Sequence, residues 1–334
     1  MRATLQTLTL KETFQIARGA ADEETVVVAE HTIDGIVAHG EGAPVDYWGE
    51  TPQRIQEAIE ADGAQLLQTD LFAREAIRRR LAAWDGPQGA KMALDGLVHD
   101  WIGKRLDTPT RHVLGTGKTT PPTSYTIGID SVDGTADRAR RATGFEVLKI
   151  KVGGPGDLER LEAVRANTTA RLRIDGNEGW DLDTATELTP ELIRLGVEFV
   201  EQPFPAQDED AFHRYRELAT RLPVMIDEGC KDLTSVAPIA AYADGIVIKL
   251  SKCGGIAEAH RMIHAARALD LKIMLGCMIE SELGIAQAAQ LGSLVDSIDL
   301  DGHLLISNRP FTGLGLHDGR LTLSDEPGLG IADA

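Results

Sequence analysis

The sequence predicts a parallel β/α barrel preceded by a smaller α+β unit, and three observations carry that prediction. Short β-rich runs recur through residues 116–311, a helical stretch separates each from the next, and the charged residue of each run comes last. From Lys151 to Asp175, Glu201, Asp227 and Lys249 the intervals are 24, 26, 26 and 22 residues, the length of one strand, loop and helix. A length of 334 residues accommodates one barrel of about 250 residues and one smaller domain.

The opening MRATLQTLTLKETF alternates apolar and polar positions, as a strand does, and lacks the apolar core of a signal peptide. Residues 2–9 and 25–42 read as a small antiparallel sheet, with β-branched residues and turn glycines. Residues 51–81 and 88–104 read as helices, from apolar spacing of three and four. After TGKTTPPTS the pattern changes. TSYTIGI, FEVLKIKVG, ARLRIDGNEGW, VEFVEQPFP, PVMIDEG, GIVIKLSKCGG, KIMLGCMIES and DSIDLDGHLL are the barrel strands, each delivering its polar end to the C-terminal mouth.

Hydrophobic residues make up 43% of the chain, enough for a large core. Acidic residues outnumber basic ones 52 to 34, and the net charge of −18 opposes binding to nucleic acid or an anionic membrane. No apolar run is long enough to span a bilayer. Cys230, Cys253 and Cys277 show no paired spacing, so they read as reduced thiols in a cytoplasmic protein.

Asp175 in RIDGN, Glu201 in FVEQP and Asp227 in MIDEG each close a hydrophobic strand. A single acid so placed is usually a salt bridge or helix cap. Three on consecutive repeats converge and call for a cation, and hard oxygen ligands suit Mg²⁺ or Mn²⁺. Lys149 and Lys151 stand two apart in LKIKVG and share the interior face. Lys249 ends a strand roughly across the barrel from Lys151, while Lys252 reads equally well as a plain counter-ion. Near a second ammonium and a divalent cation, a lysine pKa is expected to fall, making it a base near neutrality.

The KIK motif, the Asp175, Glu201 and Asp227 series, and Lys249 ahead of CGG together resemble the enolase superfamily, in its muconate-lactonizing subgroup. The resemblance covers nearly the whole chain. It implies a modified (β/α)8 TIM barrel of (β/α)7β type at residues 116–311, with a capping domain at residues 1–115 completed by the tail from about 312 to 334. It implies one Mg²⁺ per site, with Mn²⁺ as a substitute, on Asp175, Glu201 and Asp227. Lys151 and Lys249 then exchange the α-proton of a carboxylate substrate from opposite faces, which is 1,1-proton transfer.

Asp299 and Asp301 in SIDLDGH share one face at the end of the last strand. They read as the receiver of a second cation or as a structural acidic turn. In the subgroup, this DxD pattern is similar to that of dipeptide epimerases, where it takes the substrate's free α-ammonium. The resemblance further implies substrate contacts at Thr126, Lys149, and the backbone of Cys277 and Ile279. KETFQIARGA resembles a flexible loop closing over the mouth, with Phe14, Ile16 and Arg18 as its contacts. Arg18 reads either as a fork for a substrate carboxylate or as a surface arginine. The pattern is most similar to L-Ala-D/L-Glu epimerases, isomerases acting on peptidoglycan-derived dipeptides, and a homo-oligomer is expected.

GTGKTT at 115–120 imitates a phosphate loop, but its leading glycine would fall at His112 and Pro121 forbids the following helix, so it reads as a linker. His260 and His264 read as surface or interface residues. Other acidic or hydrophobic dipeptide epimerases, an o-succinylbenzoate synthase or N-acylamino acid racemase, a sugar-acid dehydratase and a cycloisomerase share the scaffold; the DxD motif argues against the lyases. A non-catalytic barrel would have lost a lysine or a metal ligand, and none is lost.

Overall fold

The computed structural model describes all 334 residues. Strands β1 (Arg2–Ile16), β2 (Gly19–Ile33) and β3 (Ile36–Gly42) pair antiparallel in that order. Their apolar face, with Ala3, Val27, Ala29 and Ala38, packs on the buried helix Gln88–Arg105. Contact is at backbone distance. A Cβ on Gly40 would stand 2.0 Å from the Ala93 carbonyl oxygen, and one on Gly42 2.0 Å from that of Gly89, so only glycine fits at either strand position.

Two expectations for this region need correction. The segment read as a flexible loop, residues 11–20, is instead the tip of the β1–β2 hairpin, where Phe14 pairs with Ala21 after a register shift between Thr9 and Phe14. Thr13 and Asp22 are hydrogen-bonded across it at 2.6 Å, and the alternating TFQI supplies the strand propensity. The helix read over 51–81 is broken into Pro52–Ala58, a π-helical turn Ile59–Gly63, Ala64–Leu66, and then Arg74–Ala83. Between the pieces Asp70 accepts from the Phe72 amide at 3.0 Å, a local turn that competes with helix.

Strand β4 (Thr119–Pro122) occupies part of the expected linker. β5 (Ser124–Ile127), β6 (Val147–Lys151), β7 (Arg171–Asp175), β8 (Val197–Glu201), β9 (Val224–Ile226), β10 (Gly245–Lys249), β11 (Lys272–Gly276) and β12 (Ser297–Asp299) form one eight-stranded parallel sheet in chain order. Helices Val132–Arg141, Asp157–Asn167, Leu182–Arg194, Glu209–Arg216, Leu233–Ile239, Ile256–Ala268 and Glu282–Ala289 fall between successive strands, which is the (β/α)7β pattern. The seam between β12 and β5 is narrow. It consists of a parallel bridge from Thr123 to Ile298, the Leu300 amide donating to Thr123 Oγ1 at 2.9 Å, and the Thr126 amide donating to Asp301 Oδ2 at 2.6 Å.

After the barrel, β13 (Phe311–Thr312) pairs with β16 (Ala332–Asp333), while β14 (Gly315–His317) and β15 (Arg320–Thr322) extend β4. The tail then reaches the first domain. The Leu329 amide donates to Asp100 Oδ1 at 2.9 Å, and the Gly328 carbonyl accepts from Thr110 at 2.8 Å.

The front of the cap is bound to the barrel through Glu41, at the end of β3. The fully buried Glu41 accepts from the Ser281 amide at 2.9 Å and from the Ser281 hydroxyl. Gln287 bonds the Glu41 backbone from both sides, at 2.7 and 3.0 Å. Glu280 lies beside it; a Cβ on Gly284 would meet Glu41 Oε1 at 2.5 Å and Glu280 Oε2 at 2.8 Å. Burial pushes the Glu41 carboxyl up to about 7, against hydrogen bonds from Ser281 that lower it. Burial, and then the charge of Glu41, push Glu280 up to about 8.

A carboxyl whose folded pKa exceeds its unfolded one binds protons more readily when folded. Its contribution is complete below the unfolded value of 4.5 and is lost as pH rises through the folded one. Thermal unfolding at intervals from about pH 5 to about pH 8 is therefore expected to show stability falling by up to about 1.4 kcal/mol per pH unit for each carboxyl. Glu41→Gln should flatten that slope. An equal slope in wild type and variant would rule this junction out as its source.

Candidate active site

Strand register brings the charged ends into one layer. Lys151 pairs with Asp175 and Asp175 with Glu201 across β6, β7 and β8; Lys249 pairs with Gly276 and Gly276 with Asp299 across β10, β11 and β12. Asp227 follows β9 directly. Gly276 leaves room for its neighbour, since a Cβ there would press on Lys249 Cε at 3.2 Å and Val247 Cγ1 at 3.0 Å. In the eight-stranded order β6 and β10 are four places apart, so Lys151 and Lys249 stand across the mouth from each other.

Asp175, Glu201 and Asp227 are fully buried beneath the mouth. Lys149 lies among the acids, with Nζ 2.6 Å from Asp299, 2.8 Å from Glu201 and 3.0 Å from Asp175. Lys151 Nζ is 2.7 Å from Asp175 Oδ2. Lys249 reaches Asp227 Oδ2 at 2.8 Å, and Lys252 reaches Oδ1 of the same carboxylate at 2.5 Å. Lys252 also donates to the Asp227 and Val247 carbonyls and is almost completely buried, so it is an internal counter-ion behind the site.

These contacts divide the charge unevenly. Burial raises Asp175, but Lys149 and Lys151 outweigh it and hold its carboxyl well below the usual range. Asp227 is likewise raised by burial and driven low by Lys249 and Lys252. Glu201 goes the other way, pushed up by burial and by Asp175 more strongly than Lys149 pulls it down. The expected depression of a lysine pKa is tied to a divalent cation; the protein's own groups act on Lys249 and Lys149 in the opposite direction. Burial lowers Lys249, but Asp227, Tyr47 and Glu201 together hold the ammonium well above the ordinary lysine range; Lys149 behaves alike, held up by Asp175, Asp299 and Glu201.

As the side chains stand, no three acidic, histidine or cysteine groups converge at metal-ligating distances, because ammonium groups fill the space between the carboxylates. The donor set still fits a hard divalent cation. It offers three buried carboxylates on consecutive strand ends, and Glu201 Oε1 has no hydrogen-bond partner at all.

Above this layer lies a cavity of about 320 Å³ between barrel and cap. Lys149, Lys151, Lys249, Thr126, Asp299 and Asp301 line it from the barrel side, with Cys277 and Ile279 beside them. Phe14, Ile16 and Arg18 line it from the hairpin tip. Asp301 has one oxygen committed to Thr126, and burial followed by Asp299 pushes its carboxyl up; Asp299 Oδ1 has no hydrogen-bond partner. Cys277 donates to the Asp299 carbonyl at 3.3 Å, and burial holds its thiol protonated.

Arg18 is neither a free fork nor a plain surface group. Its Nη1 is 2.6 Å from the buried Glu228 and 3.4 Å from Glu178, and its guanidinium lies over the Tyr47 ring at 4.9 Å. Sequence reasoning missed Glu228, Tyr47, Asn177 and the cavity-lining Glu24. Glu228 was visible as the second acid of MIDEG, and Tyr47 as half of an aromatic pair in the segment after β3. His260 and His264 lie outside the site on the outer helix Ile256–Ala268, 3.1 Å apart between ring nitrogens.

Residues 132–332 match the family model for the enolase C-terminal domain-like fold. An L-Ala-D/L-Glu epimerase from Bacteroides thetaiotaomicron is 34% identical over 328 residues, covering 97% of this chain and 85% of that protein. A substrate-liganded L-Ala-D/L-Glu epimerase from Bacillus subtilis superposes with a TM-score of 0.94 at 29% identity, covering 100% of this chain and 98% of the other. A dipeptide epimerase from Enterococcus faecalis, complexed with Mg and the dipeptide L-Leu-L-Tyr, gives 0.92 at 30% identity, over 99% and 98%. With this likeness running the length of both domains, the chain belongs to the enolase superfamily.

Proposed function

We propose that the protein is a Mg²⁺-dependent dipeptide epimerase that inverts the α-carbon of the C-terminal residue, with L-Ala-D/L-Glu as its reference substrate. The observation that carries this reading is the pair Lys151 and Lys249, set on opposite sides of one cavity that also holds Asp299 and Asp301. Relatives that bind or act on dipeptides support it along the whole chain.

The roles follow from placement. Asp299 and Asp301 hold the substrate's α-ammonium, and Thr126, Lys149 and the Cys277–Ile279 segment border the peptide. Lys151 faces one side of the α-carbon and Lys249 the other. In each direction one lysine is an amine that takes the proton, while the other is an ammonium that returns one to the opposite face. Asp175, Glu201 and Asp227 would hold Mg²⁺, or Mn²⁺ in its place, which would supply positive charge to the substrate carboxylate. A cation sharing Asp227 would also weaken that carboxylate's hold on Lys249, which otherwise keeps the ammonium protonated. The three unpaired cysteines accord with a cytoplasmic enzyme of peptidoglycan recycling, working as a homo-oligomer on a small-molecule substrate.

Incubating L-Ala-L-Glu with enzyme and Mg²⁺ in D₂O should exchange the Glu α-proton, followed by NMR, and accumulate the L,D product. Lys151→Ala and Lys249→Ala should each abolish epimerisation, while each retains exchange from one stereoisomer. Full epimerisation by either variant would defeat the two-base reading, and the absence of exchange with every acidic or hydrophobic dipeptide would defeat the epimerase reading itself.

Lys149→Met leaves Asp175, Glu201 and Asp299 without their shared ammonium. Stranding buried charge in this way costs roughly 3–5 kcal/mol. Its melting temperature without added metal should fall by several degrees, and Mg²⁺ should restore more of it than in wild type. An equal Mg²⁺ response in both proteins would argue against a cation on these carboxylates.

A further inference from the structure

Tyr47 is a cavity residue to which the proposed chemistry assigns no task. It lies in the short turn Asp46–Trp48 after β3, on the capping side. Its ring is fixed from two directions, by the Arg18 guanidinium at 4.9 Å and edge-on by Trp48 at 5.7 Å. Arg18 is in turn held by Glu228 at 2.6 Å. The Tyr47 hydroxyl oxygen is sealed from solvent, yet no group of the protein hydrogen-bonds to it. Buried hydroxyls nearly always have a partner, because leaving one unmade weakens the fold. Trp48 lies under the Lys231 ammonium at 5.6 Å, and Glu228 and Lys231 both follow β9, so Tyr47 sits over the β9 side of the mouth, in one cavity with Lys249.

We propose that the Tyr47 hydroxyl is a substrate-binding donor, aimed from the cap at the carboxylate of the dipeptide on the Lys249 side of the site. The inference rests on the dipeptide-epimerase reading. A phenol without a partner needs an acceptor, and Lys249, which lines the same cavity, offers only N–H donors in its ammonium form. The substrate group that must lie between the two lysines is the α-carbon, and the carboxylate is bonded to it. As the α-proton leaves, negative charge builds on those oxygens, so a donor placed there binds the transition state more strongly than the ground state. The carboxylate is common to both stereoisomers, so the effect is felt in both directions. Because Tyr47 belongs to the cap, the donor is present only when cap and barrel are together.

Tyr47→Phe keeps the ring under Arg18 and removes only the hydroxyl. For L-Ala-L-Glu and L-Ala-D-Glu alike, kcat/KM should fall about 10- to 100-fold, mainly in kcat. The melting temperature without ligand should be unchanged or higher, since an unsatisfied buried group has been removed. The rise on adding L-Ala-L-Glu with Mg²⁺ should shrink. Values of kcat/KM within about twofold of wild type would overturn the proposal, as would a lower ligand-free melting temperature with kcat/KM retained, which would give the hydroxyl to the fold. The ligand shift separates the two readings. If wild type is stabilised by the dipeptide without turning it over and Tyr47→Phe is not, the donor stands and the epimerase assignment falls; equal shifts in that case would overturn the donor as well.

Discussion

The structure depends on burying a dense layer of opposite charges at the mouth of the barrel. Asp175, Glu201 and Asp227 have no solvent contact, and they are balanced by Lys149, Lys151, Lys249 and Lys252 at 2.5–3.0 Å. Each of these ions would be prohibitively expensive alone in such surroundings. Together they are tolerable because every ammonium has a carboxylate and the strands hold the partners in register. Hydrophobic residues could have filled the space at lower cost, so a layer of this kind serves chemistry rather than stability.

That layer explains the arrangement above and below it. Strand ends bring the acids side by side because successive parallel strands advance in register, Lys151 with Asp175 and Asp175 with Glu201. On the opposite strand faces, Ile150, Ile174, Val200 and Ile248 belong to the apolar core that fixes the strands, and Met225, Val247 and Met274 form a smaller cluster of their own. Above, the cap must exclude water without adding unpaired charge. It does so with the β1–β2 hairpin tip, anchored by Arg18 on Glu228, and with Glu41 buried at the junction.

The barrel and its charged layer were legible in the sequence because both are periodic. A strand-terminal charged residue every 22 to 26 residues is a signal that survives ignorance of every loop, and LKIK declares an inward pair by parity alone. What the sequence hid depends on contacts between distant segments. Arg18 and Glu228 are 210 residues apart, and nothing local marks them as partners. The partners of Lys249 were equally hidden: the carboxylate of Asp227, at 2.8 Å, leads the groups that together hold its ammonium up against burial. Resemblance to a family loop hid the hairpin tip, whose pairing resumes at Phe14 and Ala21 after a register shift. Tyr47 carried no motif; only its sealed and unpartnered oxygen singles it out.

A consequence concerns how such a site can choose its substrate. All four cationic groups lining the cavity, Arg18, Lys149, Lys151 and Lys249, are already paired with carboxylates of the protein. Among the protein's own side chains no cation is left unpaired, so a substrate group that pairs with one of them does so by exchange of partners. A side-chain carboxylate gains Arg18 only by competing with Glu228, and an α-ammonium gains Asp299 only by sharing it with Lys149. The selectivity of the site is then the difference between two ion pairs rather than the full strength of one, which makes it small in energy and sensitive to the geometry of the cap. If the hairpin tip, which lines the cavity with Phe14, Ile16 and Arg18, reads the substrate, single residues there would change preference while the charged layer beneath stays the same. Chemistry on the barrel and choice on the cap would then vary independently, and neighbours of the same fold carry dipeptides as different as L-Leu-L-Tyr and L-Arg-D-Lys.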